Sequence, residues 1–317
     1  MAGDRLINGR AADGRAAHDG VPDDGVLDDG ALDVGALDDG ALDDGALGDG
    51  VPDDGVPDDG GAGAPRIEEG PAGPVLRPPG RADKTVLYLR GDRPHPAASA
   101  SALEPYGRLA LRANAAVVLP RHRAEFPAAL DDVHRAYERA RESGPVMLAG
   151  DRLGGGLAAA LLVRLRDTGA AQPACAVLVS ALLDLTLEAP SLLLNAAADP
   201  TFDLDALRER VARHAGDTPR TDPLLSPLHA NLHGFPPLRL LTAGTDPLLD
   251  DSLSFAARAA RSGVTVDLRV LQDAADLRTA FVPAVADFMD VWSPRTDPAD
   301  RSEGARERGW PTRNRAS

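Results

Sequence analysis

Between residues 146 and 157 the chain reads VMLAGDRLGGGL. The apolar run VMLA has the character of a buried strand, and a helix rich in Leu and Ala starts near Leu153. Gly150 and Gly154 bracket Asp151, Arg152 and Leu153. That is the spacing of the G-x-S-x-G turn, a sharp strand-to-helix bend that pushes a nucleophile out of the backbone. The central residue here is Arg152. A guanidinium stays protonated and has five donors and no lone pair, so it can neither attack a carbonyl nor accept a proton. The spacing predicts the bend without the nucleophile.

Other residues offer less. The seven histidines are His18, His95, His122, His134, His214, His229 and His233, and no pair has H-E-x-x-H spacing. Ser180 ends a second apolar run, but Ala-Leu-Leu follows it with no glycine to make an elbow. Gly154, Gly155 and Gly156 match neither G-x-G-x-x-G nor a phosphate loop ending in Lys-Ser/Thr. Close packing of helix on strand is the better reason for them. No metal or other cofactor is expected.

Apolar strand-like runs alternate with helical ones from residue 85 onward. Strands are expected at residues 85–89, 115–119, 146–149, 175–180, 238–242 and 264–271. Helices are expected at 101–112, 127–142, 153–167, 204–214, 247–262 and 278–291, with irregular chain at 185–200 and 219–237. Such alternation predicts an α/β fold, a mostly parallel sheet covered by helices on both faces. Ligands of such sheets lie beyond the carboxyl ends of the strands.

The chain has 317 residues and a formal net charge of −15. Residues 1–65 hold 17 Asp against 3 Arg, and the rest holds 32 acidic and 31 basic residues. The near-neutral remainder argues against nucleic acid as a partner. From residue 19 to 60 an Asp-Asp-Gly pentapeptide repeats, too polar and too charged to bury a core. Residues 1–65 are therefore expected to be a disordered acidic tail, residues 66–292 the folded domain and 293–317 a polar tail. The Gly- and Pro-rich residues 61–81 read as a linker. One cysteine, Cys175, fits a reducing compartment. With no apolar leader and no apolar run of about 18 residues, a cytoplasmic location without a membrane span is expected. Oligomeric state is not readable.

Several segments carry a resemblance. GDRLGGGLAAALLVRLRD, from Gly150, resembles the nucleophile segment of the hormone-sensitive-lipase family of α/β-hydrolases, which reads GDSAGG before an Ala/Leu helix. FPAALDDV at 126–133, VLVSALLDLT at 177–186 and DPLLSPLHANLHGFPPLRLLTAGTDPLLDDS at 222–252 are similar to the family's later segments. The resemblance spans residues 70–292. It implies the α/β-hydrolase fold and makes carboxylic-ester hydrolysis the reference activity, with a small acyl-type ligand. It places the acid on Asp246, the nucleophile on Arg152 and the base on Asp276. The oxyanion donors fall on Arg90, Gly91, Asp92 and Leu153. The family's N-terminal cap helices have no counterpart, so a reduced cap is expected.

Of that triad Asp246 alone keeps its residue type. Without nucleophile and base, a serine hydrolase retains only about 10³–10⁴-fold over water. The expectation is a catalytically degenerate protein that binds; the alternative is an ester hydrolase with displaced catalytic groups. In this fold the nucleophile and base positions face each other. Arg152 is thus expected to meet Asp276, with Asp246 near by, unless it extends into solvent.

Overall fold

The computed structural model describes residues 63–82, 84–91, 100–199 and 202–293. Eight strands form one sheet: β1 (Arg66–Gly70), β2 (Gly73–Arg77), β3 (Lys84–Leu89), β4 (Ala115–Val118), β5 (Val146–Asp151), β6 (Ala176–Val179), β7 (Leu238–Ala243) and β8 (Val266–Leu271). The order across the sheet is β1-β2-β4-β3-β5-β6-β7-β8. From β4 to β8 every pairing is parallel, while β1–β2 and β2–β4 are antiparallel.

Strand alternation puts successive side chains on opposite faces. Leu87, Leu89, Leu148, Leu178 and Leu240 point to one face, with α2 (Ala128–Arg141), α3 (Arg152–Asp167) and α6 (Leu249–Arg261). Val86, Tyr88, Met147, Val177 and Leu241 point to the other, with α1 (Ala100–Ala113) and α7 (Ala274–Trp292). Both faces are covered, which is why the strands read as continuous apolar runs. Between β6 and β7 lie the short helix α4 (Ser191–Leu194) and α5 (Leu204–Ala215). They close over Leu182 and Leu248 in a third apolar cluster through Leu192, Leu207 and Val211. No helix of the described residues is long and apolar enough to cross a membrane.

Two expectations are corrected. The linker expected at 61–81 is in part a hairpin: β1 and β2 pair in register from Arg66–Arg77 to Gly70–Gly73. β2 then docks on β4, with Val75 opposite Val118 and Leu76 opposite Val117. Val75 and Leu76 are buried there, and the amides of Leu119 and Arg121 donate to the carbonyls of Pro74 (2.9 Å) and Ala72 (2.8 Å), which docks a segment whose Gly and Pro content hides its pairing. The last helix starts at Ala274 rather than 278 because Asp273 caps it, accepting from the amides of Ala275 (2.9 Å) and Asp276 (3.0 Å). The repeat at 19–60, the acidic tail and residues 294–317 lie outside the described residues.

One charge sits inside the sheet. Arg239 on β7 is 4% exposed. Its guanidinium pairs with Asp267 on β8, donates to the carbonyl of Ala284 on α7, and stacks 4.6 Å from the ring centre of Phe288. Removing one partner of a buried ion pair strands the other. Arg239→Ala is expected to lower unfolding free energy in urea by about 2–4 kcal/mol; Asp267 is partly exposed, which keeps the loss from being larger.

Candidate functional site

β5 ends at Asp151 and α3 begins at the next residue, so the chain reverses direction at Arg152. Arg152 takes φ +45°, a left-handed conformation that costs a residue bearing a side chain roughly 1–2 kcal/mol. The expected bend is therefore present, with Arg at its tip. Its neighbours leave no room for other residues. A Cβ on Gly150 would lie 2.6 Å from the Gly154 carbonyl oxygen, and one on Gly154 would lie 2.2 Å from that of Leu89. On Gly155 it would meet the Ala181 Cβ at 2.6 Å, and on Gly156 the Leu182 carbonyl oxygen at 2.3 Å. The glycines are packing residues, as their spacing suggested.

Two hydrogen bonds tie the bend to neighbouring strand ends. The Leu182 amide, just past β6, donates to the Arg152 carbonyl (2.9 Å). The Gly91 amide, just past β3, donates to the Asp151 carboxylate (2.6 Å). Of the oxyanion-loop positions, Gly91 thus spends its N–H on the bend, and its Cα packs where a Cβ would be 2.5 Å from the Asp151 carbonyl oxygen. Arg90 lies against Tyr106, 5.6 Å from the ring centre. Leu153 follows in the first turn of α3 and lines the cleft. Asp92 lies outside the described residues.

The cleft above Arg152 holds about 240 Å³. Leu153, Leu182, Phe202, Leu207, Val211 and Leu248 make its apolar walls. Its charged lining is Arg152, Arg210 and Arg213 against Glu125. His122 and His214 complete the polar part. His214 is buried, and its Nδ1 lies 2.5 Å from the Ala124 carbonyl, which can only accept. Burial lowers its pKa, more than the carbonyl and Glu125 raise it, so near neutrality the ring is uncharged with its proton on Nδ1. Sequence reasoning gave His214 no role, because its place in the cleft depends on how α5 folds back over the sheet.

A family model described as the alpha/beta hydrolase fold matches residues 97–275. The chain belongs to that family. Solved relatives place it with the hormone-sensitive-lipase type. An esterase from the bacterial hormone-sensitive-lipase family superposes with a TM-score of 0.64 at 30% identity, covering 69% of this chain and 80% of that one. EstE5, solved after soaking with p-nitrophenyl butyrate, gives a TM-score of 0.66 at 29% identity, covering 72% and 85%. An acetyl-hydrolase of Streptomyces hygroscopicus is 35% identical over 199 residues, 60% of this chain and 67% of that protein. An esterase of Acinetobacter venetianus is 31% identical over 150 residues, 46% and 50%. The chain thus spans between half and about two thirds of the length of these curated relatives.

Against the family pattern, the expected ion cluster is corrected. Arg152 Nη2 lies 3.7 Å from Asp199 Oδ2, and both side chains are about one-fifth exposed. Among the described residues, no ion pair joins Arg152 to Asp246 or Asp276. Asp246 is buried in the turn after β7, where its carboxylate accepts from the Leu248 amide (2.8 Å) and its carbonyl from Asn195 Nδ2 (2.9 Å). Asp276 is exposed in the first turn of α7. The Asp273 cap draws residue 276 into a helix, out of the loop where a base is expected. Asp199 was missed because it lies in the stretch read as irregular, 47 positions from Arg152.

Proposed function

We propose that this hormone-sensitive-lipase-type protein binds a small acyl ligand in the cleft above β5 without cleaving it. One observation carries the reading: the residue at the strained tip of the elbow is Arg152, a permanent cation. Acyl transfer needs a nucleophile beside a base. The positions the family resemblance assigns to those roles hold Arg152 and Asp276, and Asp276 lies exposed on α7. The tail, the oxyanion residue Asp92 and a cytoplasmic location enter this reading only as expectations from sequence.

The names of the relatives, acetyl-hydrolase and esterase, favour a second reading, ester hydrolysis by groups other than the elbow residue. Ser180 is the hydroxyl to examine. It follows directly on β6 with φ +43°, the same kind of backbone as Arg152, although its side chain is buried. The full chain should be incubated with p-nitrophenyl butyrate and with a serine-reactive fluorophosphonate. On the binding reading there is no covalent label, and turnover stays below the roughly 10³–10⁴-fold over water that binding and an oxyanion site alone can give. Stoichiometric labelling of one serine, mapped by peptide mass, together with faster turnover would establish the second reading.

A further inference from the structure

The cleft offers one open lone pair. His214 is 4% exposed and lines the cleft, and its Nδ1 is taken up by the Ala124 carbonyl. A carbonyl only accepts, so Nδ1 carries the proton and Nε2 is left as the acceptor of the neutral ring. Nε2 makes no hydrogen bond among the described residues, yet it is not sealed from solvent. The cleft is the open space that this ring lines, so the lone pair is offered there. We propose that the ligand is a neutral hydroxyacyl compound, whose hydroxyl donates to His214 Nε2 while its chain lies along Leu207 and Val211. This rests on the binding reading above and names the ligand class of the same cleft.

Three features support a hydroxyl on an apolar chain. First, Leu207, Val211 and His214 recur at the spacing of one helical face on α5, and all three line the cleft. At 1.5 Å per residue the run covers roughly 10 Å, so a chain laid along the two aliphatic side chains brings its end to the imidazole. Second, the ring is set before any ligand arrives. The Ala124 carbonyl fixes its tautomer, and the Phe126 amide donates to the His214 carbonyl (2.8 Å). A preorganised acceptor costs the ligand less ordering. Third, the surrounding charges select a neutral donor. Arg152 pairs with Asp199, and Arg210 and Arg213 share the lining with Glu125 and His122. Charges of both signs give no net field to hold an ionised ligand, while the α5 guanidiniums oppose an ammonium donor. A hydroxyl needs no counter-charge. A plain ester chain would cover Nε2 and leave it without the hydrogen bond it makes to water.

The test is calorimetric titration of the full chain, near neutral pH, with methyl 6-hydroxyhexanoate and with methyl hexanoate. The two esters differ by one hydroxyl. The expected result is saturable binding of the hydroxy ester, at least about fivefold tighter than methyl hexanoate, because covering an acceptor without a donor forfeits its hydrogen bond. His214→Phe keeps a ring and removes the acceptor. It should bring the hydroxy ester down to the affinity of methyl hexanoate and leave methyl hexanoate bound as before. Histidine-selective nitrogen NMR of the unaltered chain is a readout that needs no variant to fold. The Nε2 resonance of the ring protonated on Nδ1 should move upfield with the hydroxy ester and stay in place with methyl hexanoate. Equal affinities, a preference that survives His214→Phe, an unmoved Nε2 resonance at saturation, or no saturation with the hydroxy ester would each overturn the proposal. Its failure is distinct from that of the binding reading. Ester cleavage through a covalent adduct removes the latter, and equal affinity for two uncleaved esters removes this one alone.

Discussion

Gly154→Ala is expected to cost about 3–5 kcal/mol and lower Tm by roughly 10 °C. The new Cβ would sit 2.2 Å from the Leu89 carbonyl oxygen, 2.6 Å from the Leu89 carbonyl carbon and 2.7 Å from the Arg90 carbonyl carbon. All three are backbone, so no rotamer change relieves the clash, and the first turn of α3 must lift away from β3. Lifting it loosens the packing of a helix with eleven buried residues, the most central helix of the fold. Gly63→Ala is the control, since its Cβ would meet only the Pro79 side chain at 3.5 Å. Thermal melts of both variants beside the parent decide the matter. Equal Tm values for Gly154→Ala and the parent would mean that α3 is not seated as closely as described.

The second large effect is a dependence on pH set by Asp251. This carboxyl on α6 is 2% exposed and accepts the amides of Leu183 (2.7 Å) and Asp184 (3.0 Å), clamping the chain as it leaves β6. Burial pushes its pKa up to about 7, helped by the Asp184 and Asp250 charges and opposed by the two amides. An unfolded Asp ionises near 4, so between about pH 4 and pH 7 the folded chain holds a proton that the unfolded chain has lost. Stability contributed at this site is therefore present at low pH and falls as pH rises through that window. At about 1.4 kcal/mol per unit, the swing is of the order of 4 kcal/mol. Asp251→Asn keeps an oxygen acceptor and cannot ionise. Urea unfolding at pH 5 and pH 7.5 should show a smaller decline for the variant than for the parent, and parallel profiles would refute the assignment.

How much of this is readable from sequence follows from range. Strand and helix periods are local, and they locate the six parallel strands and the long helices to within a few residues. The elbow is local as well: two glycines four apart, with Arg152 between them, suffice to anticipate its bend. What is missed involves distance or a weak signal. The hairpin at 66–77 buries only a few side chains and is interrupted by Pro71, so nothing in its pattern outweighs its composition. The capping residue Asp273 is legible, an Asp three positions before Asp276, but the loop that the family resemblance implies there competes with it. The pairing of Arg152 with Asp199 is not readable from local pattern. Asp199 reaches Arg152, and His214 reaches the cleft, because the chain between β6 and β7 folds back over the sheet, and no local period encodes that return.

The crowding around residues 150 to 156 has an evolutionary corollary. Each glycine there is forbidden a side chain by a neighbouring main chain or methyl group, whether or not any reaction takes place. Whatever residue stands at the tip, those letters are held by packing, so a survey of variation would find the motif's frame intact even where its centre differs. In such scaffolds the invariance of the frame records geometry, and only the identity of the tip residue records chemistry.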